Sequence, residues 1–409
     1  MYPSDWVNYT FDELFAFEGG LSISRANLSN EGICYLHYGD IHKTNDNYIN
    51  IEKNFDSIPK YNKPLESINK KYLLNDGDIV FADASEDYEG IGKAVVVKNP
   101  SNIPFISGLH TIVARDKTDV LNNEYKRFFL SDWNIRKQIM LMATGISVYG
   151  LSQENVRKIK VTLPKRQEQQ KIASILSTWD KAIELKEKLI EQKKQQKKGL
   201  MQKLLTGEVR LPGFVGEWKN VILGKLIKEV NEKSTENNQF QVLSVTKNGI
   251  VAQSEHFNKQ IASENNIGYK IIRKNNLVFS TMNLWMGSLD VLTNYEIGIV
   301  SPAYKVFEFY QDRINPSFGK YFMKSEKMIW IYNMNSEQGA SIVRRNLDLK
   351  GLLNTIVKIP SIDEQNAIAN IFLCVDREIN LLEEQKEELK RQKKGLMQLL
   401  LTGKVRVQV

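Results

Sequence analysis

Apolar residues along this chain follow two rhythms. After Pro164 they recur at four-three spacing as Ile172, Leu176, Trp179 and Ile183, and after Pro360 the rhythm returns as Ile368, Phe372, Val375, Ile379 and Leu382. No Gly or Pro interrupts either stretch for about eight turns, which predicts coiled-coil helices and not short core helices. Each proline stands just upstream, and the acidic and polar residues after it suit a first helical turn. A helix of about 35 residues is about 50 Å long. Elsewhere the rhythm is shorter. GDIVFADAS from Gly77, GKAVVVKN from Gly92 and HTIVARD from His110 are β-rich runs bounded by turn residues, with counterparts in NNLVFSTM from Asn275 and IGIVSPAYKVFEF from Ile297. EYKRFFLSDWNIRKQIML and FGKYFMKSEKMIWIYNM read as helical, each ahead of a Gly-x-Ser loop, at Gly145 and Gly339.

The helical stretches are copies of one another. KKGLMQKLLTG, Lys197 to Gly207, returns as KKGLMQLLLTG, Lys393 to Gly403, and both Pro164 and Gly199 recur 196 residues on, as Pro360 and Gly395. A weaker echo opens each half, WVNYTFDELF at Trp6 against WKNVILGKLI at Trp218. Between these landmarks the halves diverge. The chain therefore reads as variable block 1–162, repeated helix 163–207, variable block 208–358 and repeated helix 359–409. Lys186 stands where the second copy has Leu382, Ile190 where it has Lys386, and Lys193 where it has Leu389. Each stripe alone is broken, so the helices are expected to pair with each other or with helices of another subunit. The expected fold class is α+β, two globular blocks separated by two long antiparallel coiled-coil helices, with a pseudo-two-fold internal repeat.

Composition changes this picture little. A chain of 409 residues exceeds the usual single-domain size of ~100–200, so two domains are the default. Its 56 Lys and Arg against 48 Asp and Glu give a net charge of +8, which allows a nucleic-acid partner without requiring one. The two cysteines, Cys34 and Cys374, lie in opposite halves, too far apart for a zinc cluster; both read as reduced thiols, Cys374 within an apolar helical stripe. The opening MYPSDWVNYTF lacks the charged flank and apolar centre of a signal peptide, and no apolar run approaches the ~20 residues that span a bilayer. The expectation is a cytoplasmic protein without a membrane partner.

No catalytic motif is complete in this chain. EGIGK at Glu89 is too short for a phosphate loop. NPSF at Asn315 resembles the Asn-Pro-Pro-Phe motif of adenine methyltransferases, but its third residue is Ser317 and no glycine-rich loop precedes it, so it reads as a surface turn. HYGDIH sets His37, Asp40 and His42 close together, but strand alternation would put the histidines on opposite faces, so a strand leading into a polar loop is the favoured reading. Asp76, Asp78 and Asp83 lack the Glu-x-Lys of a nuclease. No metal site and no catalytic set is expected.

Variable block, P-x3-EQ helix (Glu168-Gln169, then Glu364-Gln365) and GLMQxLLTG, each written twice, resemble the specificity subunits of type I restriction-modification systems over essentially the whole chain. The resemblance implies a non-catalytic reader of double-stranded DNA. Its blocks 1–162 and 208–358 would be target recognition domains, each for one half of a split target. Its helices would space the domains and dock two methyltransferase subunits, which support ATP-driven restriction/translocase subunits. Adenine methylation and defence against foreign DNA would follow. S-adenosylmethionine, ATP and Mg would belong to those partners, and this chain would bind no cofactor. Rods of about 50 Å suit readers set one to one and a half turns apart on DNA, a turn being ~34–36 Å. The repeat would present one docking surface twice, while the diverged blocks read different half-sites.

Loop position and charge select Arg25, Lys43, Lys60, Lys63 and Tyr149 as DNA-contacting candidates in the first block. In the second block they select Lys247, Arg273, Lys274, Arg344 and Arg345, with Trp285 as a packing or base-contacting aromatic. Seam or docking candidates are Ile172, Leu176, Trp179, Ile183, Ile368, Phe372, Val375 and Ile379. Leu200, Met201, Leu204, Leu205, Leu396, Met397, Leu400 and Leu401 join them, since an apolar surface on a slender rod needs cover. Lys193, Lys194, Lys197 and Lys198 read as a solvated coiled-coil face. Two rivals stand beside this reading. One is the detached recognition half of a single-chain restriction-modification enzyme, and the other a coiled-coil scaffold without DNA specificity.

Overall fold

Two helices dominate the secondary structure, Arg166–Leu204 of 39 residues and Ile362–Leu401 of 40. The protein is described by a computed structural model covering residues 2–44, 47–246, 249–253, 265–338 and 345–408. It divides into two units, and both boundaries fall inside the long helices: Met1–Lys186 with Gln385–Val409, and Glu187–Glu384. Among the described residues no helix is long and apolar enough to cross a membrane.

The division follows from where the helices bury their apolar faces. In the first unit Ile172, Ala173 and Leu176, from the start of the first helix, share a core with Phe11, Phe81, Tyr125 and Phe129. Leu400 and Leu401, from the end of the second helix, enter the same core. In the second unit Ile368, Ala369 and Phe372 pack with Phe279, Phe307, Phe318 and Phe322, and Leu204 and Leu205 enter from the first helix. Each leucine contributes ~1.5–3 kcal/mol by leaving water, so these short segments anchor the helix ends firmly. The cover that the LLTG leucines need thus comes from the chain's own cores.

Within each unit the helices run side by side in opposite directions. In the first, Asp180 pairs with Lys393, and Lys186 donates to Gln385 at 3.0 Å. In the second, Lys193 pairs with Glu378 at 2.7 Å, Lys194 with Glu383 at 2.6 Å and Lys197 with Asp376 at 2.5 Å. These lysines, expected as a solvated face, instead tie one helix to the other, and Lys198 faces Glu326 at 3.6 Å. Ile183, Ile190, Ile379 and Leu382 are buried, so Ile190 and Leu382 fill stripe positions where the other copy carries lysine. Trp179 and Val375 are half-buried. Cys374 is exposed, which corrects its expected place in the apolar stripe; that stripe turns on Phe372 and Val375, to either side of it.

Both blocks repeat one strand plan. The first unit has an antiparallel run of Phe15–Gly19, Thr111–Asp116, Ile79–Ala82 and Ala94–Lys98, which Tyr48–Asn50 extends in parallel. The second has Ile227–Val230, Tyr304–Phe309, Leu277–Ser280 and Leu289–Val291 in the same order. The Trp-led strand Val7–Thr10 pairs with Lys160–Leu163 in the register Val7 to Leu163, and Lys219–Ile222 pairs with Ile356–Ile359 as Lys219 to Ile359. All five expected β-rich runs contain strands. The expected helical runs are each two short helices, Asn123–Phe129 with Trp133–Met142 and Pro316–Met323 with Glu326–Met334.

Two local expectations are corrected. HYGDIH is no strand: Tyr38–Lys43 is helical, and His37 caps it by accepting the Gly39 N–H on Nδ1 at 3.1 Å. Asn315 is no surface turn but the cap of Pro316–Met323, accepting from the backbone of Ser317 and Phe318. Ser, Asn and Asp serve turns and helix caps by the same side-chain bond, so the residue type alone does not separate them.

Candidate nucleic-acid interface

The repeated residues build a frame at the root of each long helix. Gln169 is buried and satisfies three backbone groups: it donates to Pro164 O and Val120 O, both at 3.0 Å, and accepts from Asn122 N at 2.9 Å. Gln365 repeats this on Pro360 O at 3.0 Å, Arg313 O at 3.1 Å and Asn315 N at 2.8 Å. The neighbouring buried carboxylate takes a two-pronged arginine in each unit. Glu168 is held by Arg406 at 2.7 and 2.9 Å, and Glu364 by Arg210 at 2.6 and 2.7 Å. Each guanidinium also lies against the opening tryptophan, Arg406 at 5.9 Å from Trp6 and Arg210 at 6.0 Å from Trp218.

The LLTG glycines end the helices beside those rings. Gly207 and Gly403 have φ of +76° and +67°, the left-handed turn that lets the chain leave the helix. A third pair holds the helix flank: Asp180 accepts from Arg127 at 2.7 Å and from Lys393, while Asp376 accepts from Tyr321 at 2.7 Å and pairs with Lys197. Burial, reinforced by Asp376, holds the Tyr321 phenol well above its ordinary pKa, so it stays a donor.

Away from the frame, one surface position recurs with changed chemistry. The segment after Ile79–Ala82 meets the residue after the Gly145 loop, and the segment after Leu277–Ser280 meets the residue 196 positions further on. In the first unit this brings Tyr88 onto Tyr149, ring centres 5.3 Å apart and edge to face. Tyr149 lies on a two-residue strand opposite Ser85, and the Tyr88 hydroxyl donates to Met140 O at 2.8 Å. In the second unit the Arg345 guanidinium lies 4.2 Å over the Trp285 ring, donates from Nη1 to Asn333 Oδ1 at 2.5 Å, and its backbone N–H reaches Met282 O at 3.2 Å. Exposed apolar side chains surround both ledges: Leu141, Ile146 and Val148 in the first unit, and Met282, Met286, Trp330 and Met334 in the second. Exposed apolar side chains gathered in this way make both ledges candidate binding surfaces.

The remaining candidates scatter. Lys43 and Lys63 are exposed, and Arg25 pairs with Asp40 at 2.8 Å. Arg25 stands near a cluster in which Tyr38 packs against His37, His42 and His110. Burial raises the carboxyl pKa of Asp83 there, with its partner His110 opposing the shift. Arg273 and Lys274 are exposed and paired with Glu232 and Glu296. Lys60 is a correction: only 5% exposed, its Nζ donates to Phe55 O at 2.9 Å and Ile58 O, so it closes a turn and cannot reach a phosphate. Lys247 and Arg344 lie outside the described residues, as does the Gly-x-Ser loop at Gly339. Tyr88, Asn283 and Asn333 were not foreseen; applying the 196-residue offset to Tyr149 would have led to Arg345 and its neighbours.

Comparison with known proteins agrees with this anatomy. Residues 3–195 match the family model of the type I restriction modification DNA specificity domain. The putative type I restriction enzyme MjaX specificity subunit of Methanocaldococcus jannaschii is 27% identical over 365 residues, covering 82% of this chain and 80% of its own. The MjaVIII specificity subunit of the same organism is 24% identical over 383 residues, covering 84% and 83%. A chain from a structural study of complex assembly and conformational transition in the type I R-M system has a similar fold, with a TM-score of 0.58 at 15% identity over 99% of this chain and 100% of that one. A duplicated frame and diverged ledges thus accompany one consistent likeness: the first part of the chain matches the type I restriction modification DNA specificity domain, and the chain as a whole is similar to type I restriction enzyme specificity subunits.

Proposed function

We propose that this chain is the DNA reader of a type I restriction-modification complex, each unit reading one half of a split target. Two methyltransferase subunits dock on the repeated frame and methylate adenine where the reader places them, with restriction/translocase subunits joining beyond. S-adenosylmethionine, ATP and Mg serve those partners; the chain itself positions and does not catalyse. The complex works in the cytoplasm, with the DNA. One observation carries the reading. Residues that hold the helices to the blocks are repeated almost side chain for side chain, while the ledge residues are not. Identical partners need identical seats, whereas two half-sites need different readers.

The seats themselves are assigned to the outer helix faces. Leu185 and Leu381, again 196 residues apart, are 56% and 54% exposed, whereas Leu204, Leu205, Leu400 and Leu401 are used up in the cores. The test is single-molecule methylome sequencing of cells carrying the methyltransferase partner with and without this chain. A split adenine-methylated motif that disappears with the chain is expected. A stable complex without chain-dependent methylation would leave the scaffold reading in its place.

A further inference from the structure

Tyr149 and Arg345 hold one place in two units, yet of the two only Arg345 has a buried polar atom without a partner. Its guanidinium is oriented by Trp285 beneath it and by Asn333 at Nη1, while Nε is buried with no hydrogen-bond partner. Next to the Met282 carbonyl that Arg345 binds stands Asn283, whose Oδ1 is likewise buried and unpartnered. One corner of the second unit therefore holds an unsatisfied donor on an arginine and an unsatisfied acceptor on an amide. In the first unit the equivalent tyrosines leave no such pair among the described residues, since the Tyr88 hydroxyl is bonded to Met140.

The missing partner must offer an acceptor to the arginine beside a donor for the amide, and an arginine fork is met best by two acceptors on one base edge, a pattern that only guanine presents in the major groove. In the major groove a G·C pair presents O6 and N7 of guanine as acceptors and the N4 amino group of cytosine as donor. A phosphate supplies acceptors alone and would leave Asn283 unmet. Nor would it require an arginine held in one plane, since a mobile lysine serves as well. We propose that Arg345, stacked on Trp285, reads the guanine of a G·C pair in the half-site bound by the second unit, with Asn283 facing the cytosine amino group. The inference rests on the DNA-reading function above and deepens it.

The test uses the full chain in complex with its methyltransferase partner. Binding is measured to duplexes in which each base pair of the motif, found by methylome sequencing, is exchanged in turn. The wild-type complex is expected to lose roughly 5- to 150-fold affinity at a G·C pair in one half-site. Arg345→Ala removes that discrimination there and nowhere else. Arg345→Lys, which keeps the charge but not the planar fork, does the same. Asn283→Ala weakens it at the same pair. Discrimination retained at every pair in both arginine variants would overturn the proposal, as would an equal loss at all pairs, the mark of a phosphate contact. A wild-type complex that discriminates nowhere would instead defeat the DNA-reading function itself.

Discussion

At the helix roots the two units are alike down to single hydrogen bonds, and at the ledges they share only a location. Gln169 and Gln365 each satisfy three backbone groups within 0.1 Å of one another's distances. Arg406 and Arg210 each hold a buried glutamate while lying against a tryptophan. At the ledges a pair of tyrosines in the first unit corresponds, by the repeat, to an arginine stacked on tryptophan in the second. The difference separates two demands on one chain. Buried polar networks leave little freedom, because each unsatisfied group costs ~1–3 kcal/mol. The ledges share no such common network, so their side chains can differ with whatever each unit binds.

The largest effect that could break this comparison is expected at the buried glutamines. Gln169→Ala and Gln365→Ala each strip three backbone groups of their partner and should cost about 3 kcal/mol or more. Chemical denaturation with hydrogen exchange resolved by unit should find each loss in its own unit and the two of similar size. A loss near zero in one unit would end the claim that the frames are equivalent.

The capping glycines come next and sharpen the comparison by a predicted inequality. Alanine at either position pays ~1–2 kcal/mol for a left-handed backbone. At Gly207 its Cβ would meet the Trp218 ring at 3.3 Å, but at Gly403 it would fall 2.4 Å from Pro3 Cγ. Gly403→Ala should therefore lower the melting temperature more than Gly207→Ala.

A smaller effect is expected at the ledge. Trp285→Ala removes the platform under Arg345 and should weaken DNA binding about fivefold, near 1 kcal/mol, with the melting temperature and partner assembly unchanged. Equal affinity in a filter-binding titration would show that the ledge is not the reading surface.

Smallest of all is a pH effect at the His37 helix cap of the first unit. Burial lowers the His37 pKa below its ordinary 6.5, and its Nδ1 must stay unprotonated to accept from Gly39. A group with a depressed folded-state pKa that is cationic when protonated binds more protons unfolded than folded. Its stabilising contribution is full above pH 6.5 and shrinks as the pH falls from there toward the folded value. Amide protection factors over Tyr38–Lys43, taken relative to the intrinsic exchange rate at each pH, should fall on acidification, and His37→Asn, which caps without titrating, should abolish that change.

Much of the plan was legible in the sequence, because periodicity and duplication survive without knowledge of contacts. The strands, the long helices and the 196-residue repeat all came from spacing alone. Partnerships were harder. Leu204, Leu205, Leu400 and Leu401 announced that they needed cover, but an apolar stripe does not say whose core will supply it. Lys60 read as a surface charge because a long stem can take its ammonium to buried carbonyls as easily as to water. HYGDIH is too short for its period to separate a strand from a single turn of helix. At the ledges, loop position selected Tyr149, Trp285 and Arg345, whereas Tyr88, Asn283 and Asn333 entered only once the fold brought them near.

The central claim, one frame twice and two different readers, is tested most directly by methylome sequencing of paired ledge variants. Cells would carry the methyltransferase partner with the wild-type chain, with Tyr88→Ala and Tyr149→Ala, or with Trp285→Ala and Arg345→Ala. The account predicts a split motif for the wild type, relaxed in one half by the first pair and in the other half by the second. A motif untouched by either pair, or blurred equally in both halves by each, would contradict it.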